Sequence, residues 1–232
     1  MASGKKKLVV LTGAGISADS GLRTFRDGDG LWEGYDVTEV ATPRAFNKNP
    51  QLVLDFYNMR RRDVAMAKPN AAHYALAALQ EDFEVHIITQ NIDDLHERAG
   101  SASVLHLHGE IFKMHSVADP YTWYDIRTDI NPGDLAPDGR QLRPAIVWFE
   151  EPVPKMEEAV PLVHDADIFV IIGTSLVVYP AAGLVHYVRS GVPVFLLDKK
   201  IPVMQSGIRF RPIEQPAAAG AAELTMLLKQ LC

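Results

Sequence analysis

Four apolar residues, Leu8-Val9-Val10-Leu11, are cut off at Thr12-Gly13-Ala14-Gly15, and this junction constrains the fold more than any other feature of the chain. A short run with no polar alternation reads as a strand buried on both faces of a parallel sheet. The glycines let the backbone turn tightly into a short helix. Later segments repeat the theme. Apolar runs at 85–89, 104–107, 168–172 and 192–197 read as strands. Periodic runs read as helices: one opened near Asn49-Pro50 and closed before Pro69, others at 70–80, 92–99, 154–164, 180–190 and 217–231. Strands alternating with helices predict a doubly wound α/β sheet.

Two stretches break the alternation. Residues 22–48 carry Gly, Asp and Pro without periodicity and read as one long loop, a kind of segment that is usually functional or disordered. Between Lys113 and Gln141, Asp, Pro, Gly and aromatics replace aliphatic residues, which predicts an excursion in the form of a small lobe.

Composition narrows the function classes. The single cysteine among 232 residues, Cys232, excludes an internal disulfide and any zinc site built on several thiolates. A formal charge of −6 argues against non-specific nucleic-acid binding. No stretch approaches the ~18 apolar residues of a membrane span, and Leu8–Leu11 is too short for a signal-peptide core. These features predict a cytoplasmic protein without membrane or nucleic-acid partners.

The candidate chemistry clusters where strands end. Gly13-Ala14-Gly15-Ile16-Ser17-Ala18 suits a pyrophosphate approached by backbone N–H groups, with Ala18 in the third glycine position. Gln90-Asn91-Ile92-Asp93 offers donors and acceptors for a carboxamide or ribose, and Gly173-Thr174-Ser175 is a second polar turn after an apolar strand. Together they suit a long, bipartite ligand such as a dinucleotide. His106 and His108 share one face of a strand by spacing. Either could be a general base or a structural histidine, and spacing does not choose between them.

These pieces, in this order, resemble the sirtuin family of NAD-dependent protein deacylases. The matching residues are Gly13-Ala14-Gly15-Ile16-Ser17 with Ser20-Gly21, Phe25-Arg26, Thr89-Gln90-Asn91-Ile92-Asp93, His108-Gly109, Leu142-Arg143-Pro144 with Val147-Trp148-Phe149, and Gly173-Thr174-Ser175-Leu176. The resemblance covers nearly the whole chain, 1–232, as one deacetylase-type domain. It implies a Rossmann-like NAD domain over about 1–28, 82–112 and 145–232, and a small lobe over about 29–81 and 113–144.

The resemblance also assigns roles. Gly13, Ala14, Gly15, Ser17, Ala18, Phe25, Arg26, Trp32, Gln90, Asn91, Ile92, Asp93, Gly173, Thr174, Ser175, Asp198 and Ala222 would bind NAD. His108 would be the catalytic base, with Asn91 and Asp93 orienting ribose and carboxamide. Val147, Trp148 and Phe149 would pair with substrate backbone and line an acyl-lysine tunnel. The acyl oxygen of lysine would attack the nicotinamide ribose, and neutral His108 would activate a ribose hydroxyl. The products would be nicotinamide, free lysine and O-acyl-ADP-ribose.

Tyr57 and Arg60, at i and i+3 of a predicted helix, match the Tyr-x-x-Arg pair of sirtuins that remove succinyl and malonyl groups. A guanidinium holds a carboxylate bidentately, with the phenol as a further donor. The implied partners are acylated lysine side chains of proteins, with acetyl groups as further substrates. An ADP-ribosyltransferase or NAD hydrolase on the same fold is the alternative, and a non-catalytic NAD-sensing module a third reading.

The chain departs from the family in three places. Many sirtuins hold zinc through two Cys-x-x-Cys pairs, and residues 113–141 contain no cysteine. This predicts a zinc-free lobe, filled instead by an aromatic mini-core of Pro120, Tyr121, Trp123 and Tyr124. Glu150 stands where the family usually has glycine, and Asp198 where it usually has asparagine.

Overall fold

The computed structural model describes residues 4–23, 31–32, 34–202 and 209–232, with backbone alone for Leu31 and Trp32. Its strands are β1 (Lys7–Thr12), β2 (Leu31–Trp32), β3 (Tyr35–Asp36), β4 (Glu84–Thr89), β5 (Val104–His106), β6 (Gly109–Ser116), β7 (Trp123–Asp125), β8 (Leu142–Ile146), β9 (Ile168–Ile172), β10 (Val194–Asp198) and β11 (Arg211–Glu214). Its helices are α1 (Val37–Val40), α2 (Pro43–Lys48), α3 (Pro50–Met66), α4 (Ala71–Ala78), α5 (Leu95–Ala99), α6 (Met156–His164) and α7 (Ala217–Lys229).

A parallel sheet in the order β11-β10-β9-β1-β4-β5 forms the large unit. The apolar run Leu8–Leu11 within the first strand has a direct reason: both of its faces are covered. Leu8 and Val10 point to one side, where Leu76 of α4 and Leu224 and Leu228 of α7 pack. Val9 and Leu11 point to the other, against Ala159 and Val163 of α6 and Leu184 of the 3-10 segment Ala181–Tyr187. The chain winds from β1 outward through β4 and β5, then returns to β9 and winds the other way. The reversal falls between β1 and β9, and open α/β sheets bind ligands at such a switch point.

An antiparallel sheet, β7-β6-β8, packs with α1, α2 and α3 around a second core that includes Val53, Leu54, Ile111, Ile130 and Trp148. Helix α3 opens on the Asn49 cap, which accepts from Leu52 N–H, with Pro50 in the first turn.

Several sequence expectations are corrected. The 22–48 stretch is not one loop: α1 and α2 lie within it, capped by Asp36 and Thr42. Residues 109–116, read as the end of one unit and the start of an irregular excursion, form the central strand of the small sheet. The 180–190 helix is a 3-10 segment, and the turn after β1 makes two 3-10 turns, Ala14–Ile16 and Ala18–Ser20, in place of an α-helix. The sequence boundary at residue 81 set α4 in the small lobe, whereas α4 packs into the core beneath the parallel sheet.

Of the expected aromatic mini-core only Tyr124 packs, partly buried, against the lobe core, and Pro120, Tyr121 and Trp123 are exposed. Tyr121 is 88% exposed and Trp123 39%, because their segment turns outward with the indole N–H donating to Pro120 O. Buried polar groups of α3 hold the lobe instead. Asn58 donates to Ile130 O and accepts from its N–H, both at 2.9 Å. Arg61 donates to Ile111 O, Thr128 O and Asn58 Oδ1. Among the described residues no three His, Cys, Asp or Glu side chains are grouped to hold a metal ion. No described helix is long and apolar enough to cross a membrane.

Candidate active site

A cavity of about 390 Å³ opens over the carboxyl ends of β1 and β9 and extends to α3 and the 147–151 segment. Its floor is made by two turns that interlock. Gly13 N–H donates to Ile172 O at 3.0 Å, and Gly15 N–H to Gly173 O at 2.8 Å. Gly173 has φ +63, and a Cβ there would stand 2.3 Å from Ile16 N. A Cβ on Gly15 would meet Gly173 Cα at 2.6 Å. Only glycine permits this approach. The two turns, read separately in sequence, are one surface.

Gln90-Asn91-Ile92-Asp93 leaves β4 beside them. Gln90 Nε2 donates to Thr174 Oγ1 at 3.0 Å, tying this loop to the second turn. Asn91 Nδ2 donates to Ser17 Oγ at 3.1 Å, and Ser17 Oγ donates to Asp93 Oδ2 at 3.0 Å. Burial pushes the Asp93 carboxyl up, opposed by the Leu95 N–H and Ser17 hydroxyl that it accepts. Ile92 accepts from Ile111 N–H at 2.8 Å and so links the loop to the small sheet.

The geometry separates the two histidines. His106 lies outside the cavity lining. Its Nδ1 bonds Asn91 O at 3.0 Å and its Nε2 bonds Glu97 Oε1 at 2.7 Å. Burial opposes its charge, but the Glu97 carboxylate prevails and raises its pKa. His108 lines the cavity, with Nδ1 3.0 Å from Gln90 O. A carbonyl oxygen accepts only, so Nδ1 carries the proton and Nε2 keeps its lone pair. Burial lowers the His108 pKa against the opposing hydrogen bond, which keeps the ring neutral near pH 7. A neutral imidazole with a bare nitrogen can take a proton.

The far wall is the 147–151 segment. Val147 N–H donates to His108 O and Phe149 N–H to Ala41 O. Arg143 sits beneath it, with its guanidinium carbon 3.3 Å from the Trp148 ring centroid, and pairs bidentately with Glu151 at 2.7 and 3.1 Å. Glu151 Oε2 in turn accepts Trp148 N–H at 2.8 Å. Glu150 adopts φ +75, unusual for a residue with a side chain, and Arg44 pairs with its carboxylate. Tyr57 and Arg60, on one face of α3, reach the same cavity and are buried. Burial raises the Tyr57 phenol well above its ordinary pKa, opposed first by Arg143, so the hydroxyl remains a donor.

The cavity lining includes Gly13, Ala14, Gly15, Ser17, Ala18, Gln90, Asn91, Ile92, Asp93, His108, Val147, Trp148, Phe149, Gly173, Thr174, Ser175 and Asp198. Phe25 and Arg26 lie outside the described residues, as does the Trp32 side chain. Ala222 is corrected. It is exposed on α7, about 7 Å along the helix from Ala217 at the rise of an α-helix. Pro216 and Ala217, at the start of α7, line the cavity instead. Sequence reasoning also missed Glu151, Lys199 and Tyr179. A proline directly before the last helix was the available signal for Pro216.

The site fits a dinucleotide. It has a side-chain-free cradle for a pyrophosphate, and buried Ser17, Asn91 and Asp93 to its side for a polar ring. Asp198, buried with Oδ1 accepting Lys200 N–H, lines the opposite part.

The Sir2 family model matches residues 13–180. An NAD-dependent protein deacylase of Bacteroides thetaiotaomicron is 52% identical over 229 residues, covering 96% of this chain and 98% of the relative. One of the same description from Helicobacter pylori is 56% identical over 195 residues, covering 84% and 85%. A solved complex of a Sir2 homologue mutant with ADP ribose superposes with a TM-score of 0.89 at 36% identity, covering 98% of this chain and 93% of that one. With the switch-point cavity, the glycine cradle and the neutral histidine in place, the chain belongs to the Sir2 family.

Proposed function

We propose that this protein is an NAD-dependent protein-lysine deacylase that prefers acyl groups ending in a carboxylate. The observation that carries the reading is the meeting, in one cavity, of the glycine cradle and neutral His108 with Tyr57 and Arg60. The NAD-dependent protein deacylases of B. thetaiotaomicron and H. pylori support the first half of it. The buried guanidinium and phenol support the second.

When bound, NAD supplies a ribose carbon that accepts the acyl oxygen as nicotinamide leaves. The chain's residues divide the remaining work. Gly13, Gly15 and Gly173 leave backbone exposed to the pyrophosphate. Asn91, held by Ser17, and Asp93 orient the ribose and carboxamide. His108 Nε2 takes a proton from a ribose hydroxyl. The 147–149 segment, fixed by Val147 N–H on His108 O and Phe149 N–H on Ala41 O, flanks the peptide that carries the acyl-lysine. Arg60 donates to the distal carboxylate, with Tyr57 as a second donor. The lobe functions without zinc, gripped by Asn58 and Arg61.

A mass-spectrometric panel of acetyl-, succinyl- and malonyl-lysine peptides with NAD tests the reading. We expect nicotinamide release to require an acyl peptide, with the highest kcat/KM on the acidic acyl groups. Arg60→Met should lower the succinyl-to-acetyl ratio of kcat/KM at least tenfold. NAD consumption independent of acyl-lysine would overturn the deacylase reading, and an unchanged ratio would overturn the acyl preference.

A further inference from the structure

Two buried histidines take no part in the mechanism above, yet their hydrogen bonds lead into it. His73 on α4 and His96 on α5 are fully buried, with ring centroids 4.9 Å apart in an edge-to-face contact. Each keeps one nitrogen without a partner, Nε2 of His73 and Nδ1 of His96. Buried polar atoms without partners are destabilising, so an arrangement that keeps two of them calls for a reason.

The other nitrogens settle which atoms carry protons. Asn70 backbone N–H points at His73 Nδ1 at 3.3 Å, so Nδ1 is the acceptor and Nε2 bears the hydrogen. Thr12 Oγ1 gives its own hydrogen to Thr89 Oγ1, so toward His96 it accepts, which puts the His96 hydrogen on Nε2. That hydrogen faces Thr12 Oγ1 at 3.1 Å. Thr12 Oγ1 donates to Thr89 Oγ1 at 2.8 Å, and Thr89 Oγ1 accepts Asn91 N–H at 3.0 Å. The series thus ends on the backbone of Asn91. At its other end, Asn70 Nδ2 donates to Ile16 O and Ser20 Oγ, in the turn that follows Gly15.

We propose that His96, with His73 behind it, is a positioning residue that acts through Thr12 and Thr89 to set Asn91 against Ser17. The proposal rests on the role given to Asn91 above. Each link has one direction: His96 Nε2–H donates to Thr12 Oγ1, Thr12 donates to Thr89 Oγ1, and Thr89 Oγ1 accepts from both Thr12 and Asn91 N–H. Burial keeps both imidazoles neutral, lowering His73 to about 4 and His96 well below its ordinary value. The groups facing the pair are consistent with it. Glu97, which favours a charged His73, is engaged by His106, and His106 itself disfavours charge on His96.

Two substitutions separate positioning from packing. His96→Gln keeps a side-chain N–H able to reach Thr12, whereas His96→Phe fills the space with no donor. NAD affinity by titration calorimetry, and kcat and KM for NAD with an acyl peptide, are measured for both. We expect His96→Phe to lose about tenfold in NAD affinity and kcat/KM, the scale of one hydrogen bond. His96→Gln should stay within about threefold of the wild type on that scale. A Phe variant equal to or better than Gln overturns the proposal. Thr12→Val severs the same series at a position outside the cavity lining with little change of shape. It should reproduce the Phe phenotype if the His96 variants do not fold, and wild-type behaviour from it also overturns the proposal. Calorimetry needs no acyl peptide. A wild-type protein that binds NAD without turning over acyl-lysine therefore refutes the deacylase reading, while the ordering of the variants' affinities still judges the relay.

Discussion

One methyl group tests the interlocked floor of the cavity. In Gly15→Ala the new Cβ would lie 2.6 Å from Gly173 Cα, 2.8 Å from its oxygen and 3.0 Å from its carbonyl carbon. Ordinary contact begins near 3.4 Å, so the turns must part by about 0.8 Å. No rotatable side chain can absorb the movement, because all three atoms are backbone. The separation also strains the 2.8 Å bond from Gly15 N–H to Gly173 O. Overpacking of this kind costs about 1–3 kcal/mol, and weakening the bond adds about 1 kcal/mol. For a chain of this length Tm should fall by about 5–10 °C. A displacement approaching 1 Å in a reacting geometry costs about a hundredfold, so kcat/KM for NAD should fall by about that factor. Gly183→Ala serves as a control, since its Cβ would meet Tyr179 carbons at 3.8 Å, ordinary contact. Scanning calorimetry reads stability, and nicotinamide release from an acyl peptide reads function. If Gly15→Ala retains both NAD affinity and Tm while the control behaves alike, the two turns do not form the cradle.

Two further predictions follow from individual side chains. Burial holds the folded His108 pKa below its ordinary value, and in the proposed mechanism the neutral ring is the active form. kcat/KM should therefore be level at neutral pH and fall as pH drops through an inflection below about 6.5. His108→Ala should lower kcat by about 10²–10⁴-fold and remove that limb; a His108-dependent inflection above 7 would contradict the assignment. Arg61→Met strips donors from Ile111 O and Thr128 O in the lobe. At about 1–3 kcal/mol per stranded group, partly offset by the apolar replacement, we expect about 3 kcal/mol of destabilisation. Chemical denaturation checks it, and a loss under about 1 kcal/mol would show that Arg61 does not hold the lobe.

The inner part of the parallel sheet was legible because β1, β9 and β10 carry short apolar runs covered on both faces, as Val9 and Val10 are by opposite layers. The small sheet was not. Strand β6 begins on a glycine with φ +84 and shifts register against β8 between Gly109 and Met114. Its buried positions include His115 and Ser116 as well as Ile111 and Phe112, so neither alternation nor an apolar run marks it. Strand β11 is an edge strand with Pro212 in it and three exposed residues of four. The caps of α1 and α2 were present as Asp36 and Thr42-Pro43, but helices of 4 and 6 residues carry too little periodicity to announce themselves. At the site, strand-end motifs located each cluster. The division of labour between His106 and His108 needed Glu97, Asn91 O and Gln90 O, groups that spacing along one strand does not bring into view.

Helix α3 carries two stripes about 100° apart around its axis. Tyr57 and Arg60 form one, at the cavity, and Asn58 and Arg61 form the other, gripping backbone of the lobe. The two stripes put the cavity wall and the lobe's buried hydrogen bonds on the same turn, with Tyr57 also packed in the lobe core. Under the proposed acyl preference, divergence at Arg60 can retune the acyl group removed while Asn58 and Arg61 stay in place to keep the lobe folded. The same layout makes the helix a practical unit for engineering. Tyr57 is itself fully buried against Phe56 and Trp148, so a library at positions 57 and 60 should keep stability only where position 57 retains an aromatic or similarly bulky side chain. A library that includes 58 and 61 should lose buried hydrogen bonds as well.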